Sequence, residues 1–348
     1  MKKYYPLYLL VFCILFSSCS TDLDVTGTYK ETMIVYGLLD QNQSKQYVRV
    51  NKAFLGEGNA MVFAKEKDSI QFVNSLDVRL TRLSDGKEFI LTPDGSIQKD
   101  DGLFYAGDQT NAIYSFVSSG PTALNVNSKY TLSVTNSITG TTATATTSLI
   151  SDFPFTNPSG NSASFLFTPK NENSRFFVEW MSTRTARMYQ LLVRFNYEDY
   201  ITVNGVKDTV TKSLDWPFPA HLTSGSDGER ITNDFSRAEY LQFIGNHLST
   251  YPELNYRKAI NMNLVLVAGG EELTTYIEVN KPSTSIVQEK PIYTNIQNGY
   301  GIFSGRYFKS PFPLVISSGP KDLDSLTCGR FTKTLKFISA DGTFPPCF

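Results

Sequence analysis

The residue with the clearest chemistry in this 348-residue sequence is Cys19. It follows a basic N-terminus, the apolar run 4–16 and the small pair Ser17-Ser18. A signal peptidase requires a basic start, a short apolar stretch and small residues at the cut, and this run is too short to span a bilayer. The pattern predicts a signal peptide over residues 1–18 and a lipid-carrying Cys19. An ordinary cleaved signal and an uncleaved anchor are the alternatives.

Two further cysteines, Cys328 and Cys347, would remain in the exported chain as a pair. Between them the segment 331–338 alternates apolar and polar residues before an Asp-Gly turn, which predicts a hairpin strand. In an oxidising compartment we expect the pair to form a disulfide, which would contribute about 3 kcal/mol for a loop of this order. Two buried free thiols are the alternative.

Catalytic and metal-binding patterns are the next candidates, and the sequence offers little for either. His221 and His247 have no partner at the spacing of a zinc site, and no Gly-x-Ser-x-Gly elbow is present. The sequence therefore predicts a protein without metal, cofactor or catalytic residues. A carboxylate pair supplied by distant loops, as in a hydrolase, stays open.

One block combines aromatic residues with glycines and is the best candidate for ligand binding. It covers residues 298–308 and contains Tyr300, Phe303, Arg306 and Tyr307 among three glycines. Aromatic side chains supply contact area and glycine allows close backbone approach, so these four residues could form a binding rim. The alternative is a glycine-bent strand whose aromatic side chains fill the core.

Composition and charge restrict the partners. Charged residues are 19% of the chain and the net charge is −1, which gives no electrostatic basis for binding nucleic acid. Aromatic residues reach 13%, with 19 Tyr and 25 Phe, and such side chains suit the half-buried faces of β-sheets. The sequence thus indicates a β-rich product.

The elements that must position these residues begin with a polar tether over residues 19–28. Alternating segments separated by short turns then predict an immunoglobulin-like or fibronectin-like β-sandwich over residues 29–152. Its predicted strands are Glu31–Leu39, Gln46–Asn51, Asp77–Leu83, Glu88–Thr92, Leu103–Tyr105, Ile113–Phe116, Lys129–Thr135 and Thr141–Leu149. A proline-containing polar segment, 153–161, indicates a linker at its end.

Residues 153–348 are predicted to form a second, antiparallel β-rich domain with one packed helix. The predicted strands include Met188–Tyr200, Arg257–Val267 and Leu273–Val279. The helix is expected to begin after Ser236 and to end near Leu248, because Ser236 and Glu239 form a capping-box pattern. It is expected to pack on the sheet, with partner binding as the alternative.

Three segments resemble a known family. They are Val35–Leu39, Tyr47–Ala60 and Tyr293–Ser304, and they look like blocks of the Bacteroidota lipoproteins grouped as domain-of-unknown-function family 4249. The resemblance covers essentially the whole exported chain. It implies a lipid-anchored protein of the cell envelope, often encoded near TonB-dependent outer-membrane receptors, and it implies no activity.

Together these observations predict a non-catalytic lipoprotein of the outer membrane that is an accessory or ligand-binding partner of a TonB-dependent transporter. The N-terminal lipid would attach the protein to the outer membrane. The protein could then face either the periplasm or the cell exterior. An adhesion or surface-structural subunit is the alternative from a different class of protein.

Overall fold

The structure is a computed structural model of the chain. It describes residues 32–53, 70–72, 75–95, 112–168, 173–281, 291–309, 311–316, 323–339, 342–343 and 347. The predicted signal peptide, the tether, Cys19 and the predicted strand Leu103–Tyr105 lie outside these residues.

The described part of the chain is mainly β, as predicted. Its strands are β1 (Thr32–Leu39), β2 (Lys45–Ala53), β3 (Leu76–Arg82), β4 (Lys87–Pro93), β5 (Ile113–Val117), β6 (Lys129–Asn136), β7 (Thr142–Ser148), β8 (Phe155–Asn157), β9 (Ala163–Phe165), β10 (Arg175–Met181), β11 (Met188–Val203), β12 (Val206–Pro217), β13 (His221–Leu222), β14 (Arg230–Ser236), β15 (Leu254–Gly269), β16 (Gly299–Phe308) and β17 (Phe312–Ile316). The helices are α1 (Arg237–His247), α2 (Glu271–Asn280) and α3 (Asp324–Thr327), with a 3-10 turn at Gly120–Thr122.

Strands β1 to β7, together with β16, form an N-terminal β-sandwich. One layer has the order β16-β1-β2-β5 and the other β4-β3-β6-β7, and β4 pairs with β5 at one side. The strands alternate buried and exposed residues, so that one face of each layer is apolar. These inward faces share one hydrophobic cluster, in which Val35, Val78 and Leu132 are buried.

The second region places its core between a three-stranded sheet, β14-β10-β8, and the long strands β11 and β15. Its cluster is rich in aromatic side chains, including Trp180, Phe195 and Tyr240. Leu149 belongs to the first cluster and Ile150 to the second, so the two cores part close to the predicted linker.

Strand β16 departs from the predicted division of the chain. The sequence places residues 299–308 in the second domain, but β16 pairs in parallel with β1 from Gly299 to Gly305 and places Phe303 in the first cluster. Its C-terminal end pairs with β15 through Arg306, Tyr307 and Phe308. A single fourteen-stranded sheet therefore runs through both regions.

Helix α1 has the predicted start. The Ser236 side chain accepts a hydrogen bond from the Glu239 backbone N–H, and the Glu239 carboxylate accepts one from the Ser236 N–H. This capping box satisfies two backbone donors that a helix start leaves unpaired. Tyr240, Leu241 and Ile244 are buried, so the helix packs on the core.

The prediction of a strand over Leu273–Val279 was wrong, because this segment forms most of helix α2. Gly270 is the residue at its N-cap, and Glu271 and Glu272 occupy the first turn, where carboxylates interact favourably with the helix dipole. The second region therefore has more helix than the one packed helix predicted.

The prediction of a hairpin strand over 331–338 was also wrong. This segment forms turns, with a single bridge from Phe337 to Arg257 of β15. The predicted disulfide is present, since Cys328 and Cys347 are bonded to each other. It ties the last described residue of the chain to the end of α3.

Candidate functional site

The described parts of the segments Val35–Leu39, Tyr47–Ala60 and Tyr293–Ser304 contribute to neighbouring strands. β1 lies between β16 and β2, and Tyr36 has Ile302 on one side and Arg49 on the other. The strand register therefore brings together blocks that are more than two hundred residues apart in sequence.

The alternation along these strands separates a buried set from an exposed set. Tyr36, Tyr47 and Tyr300 point away from the core and are 38%, 37% and 50% exposed. Arg49 and Asn51 share this outward side of β2, and the Arg49 Nε donates to Asn51 Oδ1 at 2.6 Å. We call the set Tyr36, Tyr47, Arg49, Asn51 and Tyr300 the tyrosine face.

The four residues predicted as a binding rim do not form one surface. Tyr300 lies on the tyrosine face, whereas Phe303 is fully buried in the first cluster and Tyr307 is buried in the second. The Arg306 guanidinium lies over the Phe308 ring, 4.8 Å from its centroid. Successive residues of a strand point to opposite faces, so the rim interpretation is wrong for Phe303 and Tyr307 and the core-filling alternative is correct for them.

The glycines of this block bring the backbones of β1 and β16 together. Gly301 has φ +113°, and a Cβ built on it would lie 2.0 Å from the Val35 carbonyl oxygen. Gly37 faces the ring of Phe303, with 3.0 Å between a built Cβ and the ring Cδ2. The glycines thus allow close packing of β1 against β16.

Helix α2 borders the tyrosine face. The Tyr276 ring meets Tyr36 edge to face at 6.4 Å between centroids, and a hydrogen bond with Tyr36 raises the pKa of Tyr276. On the same side the Ser304 hydroxyl donates to the Glu272 carboxylate at 2.9 Å. These contacts fix one border of the surface.

A second candidate lies on the outer face of the long β11–β12 hairpin. Asn204 and Gly205, both with positive φ, form its two-residue turn. Beside it, a cavity of about 370 Å³ is lined by Tyr200, Ile201, Thr202, Lys207, Asp208, Thr209, Asn255 and Tyr256. We call this cavity the hairpin groove.

Two tyrosines form the apolar part of the hairpin groove. Tyr200 and Tyr256 are direct cross-strand partners, and their rings stack with 4.4 Å between centroids and 19° between planes. The Tyr200 hydroxyl donates to the Glu198 carboxylate at 2.9 Å, which raises the pKa of Tyr200. Sequence reasoning did not identify this groove, since only the register of β15 against β11 brings the two tyrosines together.

On the opposite face of the same strands lies a buried ionic cluster. The Asp199 carboxylate accepts hydrogen bonds from Arg257 Nε, Lys212 Nζ and the Tyr251 hydroxyl at 2.7 to 2.8 Å. Burial raises the pKa of Asp199, but these three donors outweigh it and the pKa lies below the usual value. Arg257 also donates to the carbonyl oxygens of Leu335 and Ser249, so the cluster has a structural role.

The histidines take part in local contacts. His221 Nε2 lies 3.0 Å from the Asn233 side-chain oxygen, and His247 Nδ1 lies 2.8 Å from the Phe243 carbonyl oxygen. Within the described ranges, no group of three or more His, Cys, Asp or Glu side chains is arranged to hold a metal ion. The same ranges contain no helix long and apolar enough to cross a membrane.

Comparisons with known proteins add little. No family model and no curated protein matches the chain. Among solved structures, one match is the crystal structure of CBD12 from CALX1.2, with 11% identity and a TM-score of 0.18, covering 73% of this chain and 90% of that chain. A TM-score this low supports no conclusion about topology or function. The fold class therefore rests on the strand pairing of the chain itself.

Proposed function

We propose that this protein is a non-catalytic lipoprotein of the outer membrane that docks through its tyrosine face onto a TonB-dependent transporter. The observation that carries the proposal is the convergence of the three resembling segments on β16, β1 and β2. Their outward residues include three exposed tyrosines, an arginine and an asparagine. Tyr and Arg are enriched at protein interfaces because they combine a large apolar body with hydrogen-bonding groups.

The position of β1 in the chain supports a partner at the membrane. Thr32, the first residue of β1, is thirteen residues after Cys19, so a lipid on Cys19 would hold the start of this strand within about 45 Å of the bilayer. Confinement to the same membrane raises the local concentration of an embedded partner, so that even a weak contact is occupied.

The charge of the chain and of the surface fits a protein partner. A net charge of −1 gives no general attraction to a polyanion. Near the tyrosine face, Lys45 is paired with Asp94 at 2.6 Å and lies over the Tyr47 ring at 5.6 Å. Recognition would then depend on shape and on aromatic contact, as in an interface core.

The test uses a photo-crosslinking residue placed at Tyr300 or at Tyr47 in the lipidated full-length protein, expressed in its own cells. We expect crosslinks from both positions to a TonB-dependent receptor, identified by mass spectrometry. Ile90, an exposed residue of β4 on the other layer, is the matched control and should give no such product. The Cys19→Ala variant should lose the crosslink together with membrane attachment.

The outcomes separate the alternatives. Crosslinks from Tyr300 and Tyr47 only to further copies of this chain would replace the proposal with a surface-structural subunit. Crosslinks to no receptor, together with turnover of a defined substrate by the purified protein, would replace it with an enzyme.

A further inference from the structure

We propose that the hairpin groove binds a neutral oligosaccharide, with the stacked rings of Tyr200 and Tyr256 as the platform for a sugar ring. This site is separate from the tyrosine face, and the inference does not depend on docking to a transporter. It follows from the shape, the charge and the polar groups of the groove.

The size and the composition of the groove suit a small polar ligand. Its volume, about 370 Å³, lies at the lower end of the range of roughly 300–1,000 Å³ typical of small-molecule sites. The two tyrosine rings stack on each other, so each ring keeps one face that its neighbour does not cover, and Thr202, Thr209 and Asn255 are polar residues that line the groove with them. A ligand with a flat apolar face and a polar edge would match both parts.

A sugar ring has this character. Its axial C–H groups carry a weak positive charge that is attracted to the negative face of an aromatic ring, while its hydroxyls donate and accept hydrogen bonds at the rim. The Asn255 amide donates to the Thr202 hydroxyl at 2.8 Å, and the remaining donors and acceptors of the threonine and asparagine side chains can pair with hydroxyls of either orientation.

The charges of the groove argue against other classes of ligand. Of the described residues that line the groove, Lys207 and Asp208 are charged and oppose each other in sign, and the Glu198 carboxylate next to the groove accepts a hydrogen bond from the Tyr200 hydroxyl. The Asp208 side chain also accepts from the Thr209 backbone N–H at 2.7 Å. One carboxylate is too few for a metal ion, one lysine too few for a phosphate group, and Ile201 alone is too little apolar surface for a lipid chain.

Polar side chains continue the groove along the same face of the sheet. The Asn196 amide donates to Asn261 at 2.6 Å and its oxygen accepts from the Ser213 hydroxyl at 2.6 Å. Further along, Arg194 pairs with Asp215 at 2.7 Å. These groups hold one another in place and leave lone pairs and donors toward solvent, so an oligomer can extend beyond the platform.

The opposite face keeps the platform rigid. Asp199 and Arg257, which flank Tyr200 and Tyr256 in sequence, are buried and ion-paired at 2.8 Å. Because neighbouring residues of a strand share one backbone, this cluster fixes the two strands on which the tyrosines stand. A pre-formed platform costs less conformational entropy when the ligand binds.

The test measures binding of four neutral hexasaccharides, cellohexaose, xylohexaose, mannohexaose and maltohexaose, to the full-length protein in detergent by calorimetry. We expect at least one to bind with a Kd between about 10 μM and 1 mM. Tyr200→Ala and Tyr256→Ala should each weaken that binding by about fivefold or more. Tyr256→Phe should leave it within about twofold, and Tyr300→Ala, the matched change on the tyrosine face, should leave it unchanged.

A second variant keeps the test decisive if a tyrosine change disturbs folding. Thr209 is exposed on β12 and lines the groove, so Thr209→Trp should fill the cavity and abolish binding while the melting temperature stays that of the wild type. Absence of binding by all four hexasaccharides at about 5 mM would overturn the inference. So would binding that survives Thr209→Trp, or tighter binding of a decaproline peptide to the same tyrosines, which would make the groove a peptide site.

Discussion

Two buried aspartates, one in each region of the molecule, differ in how their charge is balanced. Asp40 of the N-terminal sandwich accepts hydrogen bonds from the backbone N–H groups of Asn42 and Phe308, and within the described residues it has no ion pair. Asp199 of the second region is held by Arg257, Lys212 and Tyr251. Burial raises the pKa of Asp40 above its usual value despite the two N–H donors, whereas the pKa of Asp199 lies below it.

At Asp40 the two backbone N–H donors and the charge of Arg306 lower the pKa less than burial raises it, whereas at Asp199 two cations and a tyrosine hydroxyl outweigh burial. The two regions also differ in the contacts that hold their own strands together. In the sandwich, β1 and β16 approach through glycine and close backbone contact. In the second region, ionic side chains on β11, β12 and β15 connect long strands to the C-terminal segment.

The largest effect that would test this contrast is expected from Arg257→Met. Removing the guanidinium leaves the carbonyl oxygens of Leu335 and Ser249 and part of Asp199 without a donor. Breaking one partner of a buried ion pair typically costs about 3–5 kcal/mol of unfolding free energy. Urea unfolding followed by circular dichroism measures this loss.

Arg194→Met is the matched control, because Arg194 pairs with Asp215 on the solvent-exposed face of the same strands. Such pairs contribute about 1 kcal/mol or less. Equal losses in the two variants would contradict the structural role given to the buried cluster.

The next largest effect is expected from removing the disulfide. Among the described residues, the second region has a disulfide and the sandwich has none. The Cys328→Ser and Cys347→Ser double variant opens a loop with a sequence separation of 19. We expect a loss of about 3 kcal/mol. Hydrogen exchange should rise in α3 and around Leu335 while β3 and β6 of the sandwich keep their protection, and a uniform rise across both regions would contradict this localisation.

A third change addresses the sandwich through its backbone. Gly301→Ala would place a methyl group 2.0 Å from the Val35 carbonyl at a positive φ. We expect a loss of about 2–3 kcal/mol and increased exchange along β1.

Gly86→Ala provides the control for Gly301→Ala, since Gly86 also has a positive φ but a built Cβ would meet nothing within 4 Å. It should cost about 1 kcal/mol, the strain of the backbone conformation alone. If the two alanines cost the same, close approach of β1 and β16 is not what requires glycine at residue 301.

The sequence predicted most of the regular elements because their signals are local. The alternation over β3, β6 and β11 marks the strands, and the capping box at Ser236 marks the start of α1. The disulfide followed from the small number of cysteines. Each of these features depends on residues close together in the chain or on counting.

The parts that were missed depend on distant pairing. The segment that forms α2 has an apolar alternation that is equally typical of a strand, and in the structure its Leu273 N–H donates to the Ser304 hydroxyl of β16. The parallel pairing of β1 with β16 was not visible in sequence, and it decides that Tyr300 faces solvent while Phe303 faces the core. Likewise, a two-residue slip of β15 would separate Tyr256 from Tyr200.

The smallest effect is expected from Asp40→Asn, and the most discriminating prediction compares it with Asp199→Asn across pH. A raised folded pKa means that Asp40 binds its proton more tightly in the folded state, so its contribution to stability is present in acid and is lost as pH rises above the usual carboxyl value of 3.8. A lowered folded pKa means the reverse for Asp199, whose contribution is present at neutral pH and is lost as pH falls below 3.8. The stability difference between wild type and Asp40→Asn should therefore shrink from about pH 3 to pH 7, while that between wild type and Asp199→Asn should grow.

At neutral pH we expect Asp40→Asn to cost about 1 kcal/mol, because an amide keeps only one of the two acceptors that Asn42 and Phe308 use. Urea midpoints measured at several pH values for the three proteins decide the matter, and parallel pH profiles for the two variants would show that the two aspartates are not balanced differently.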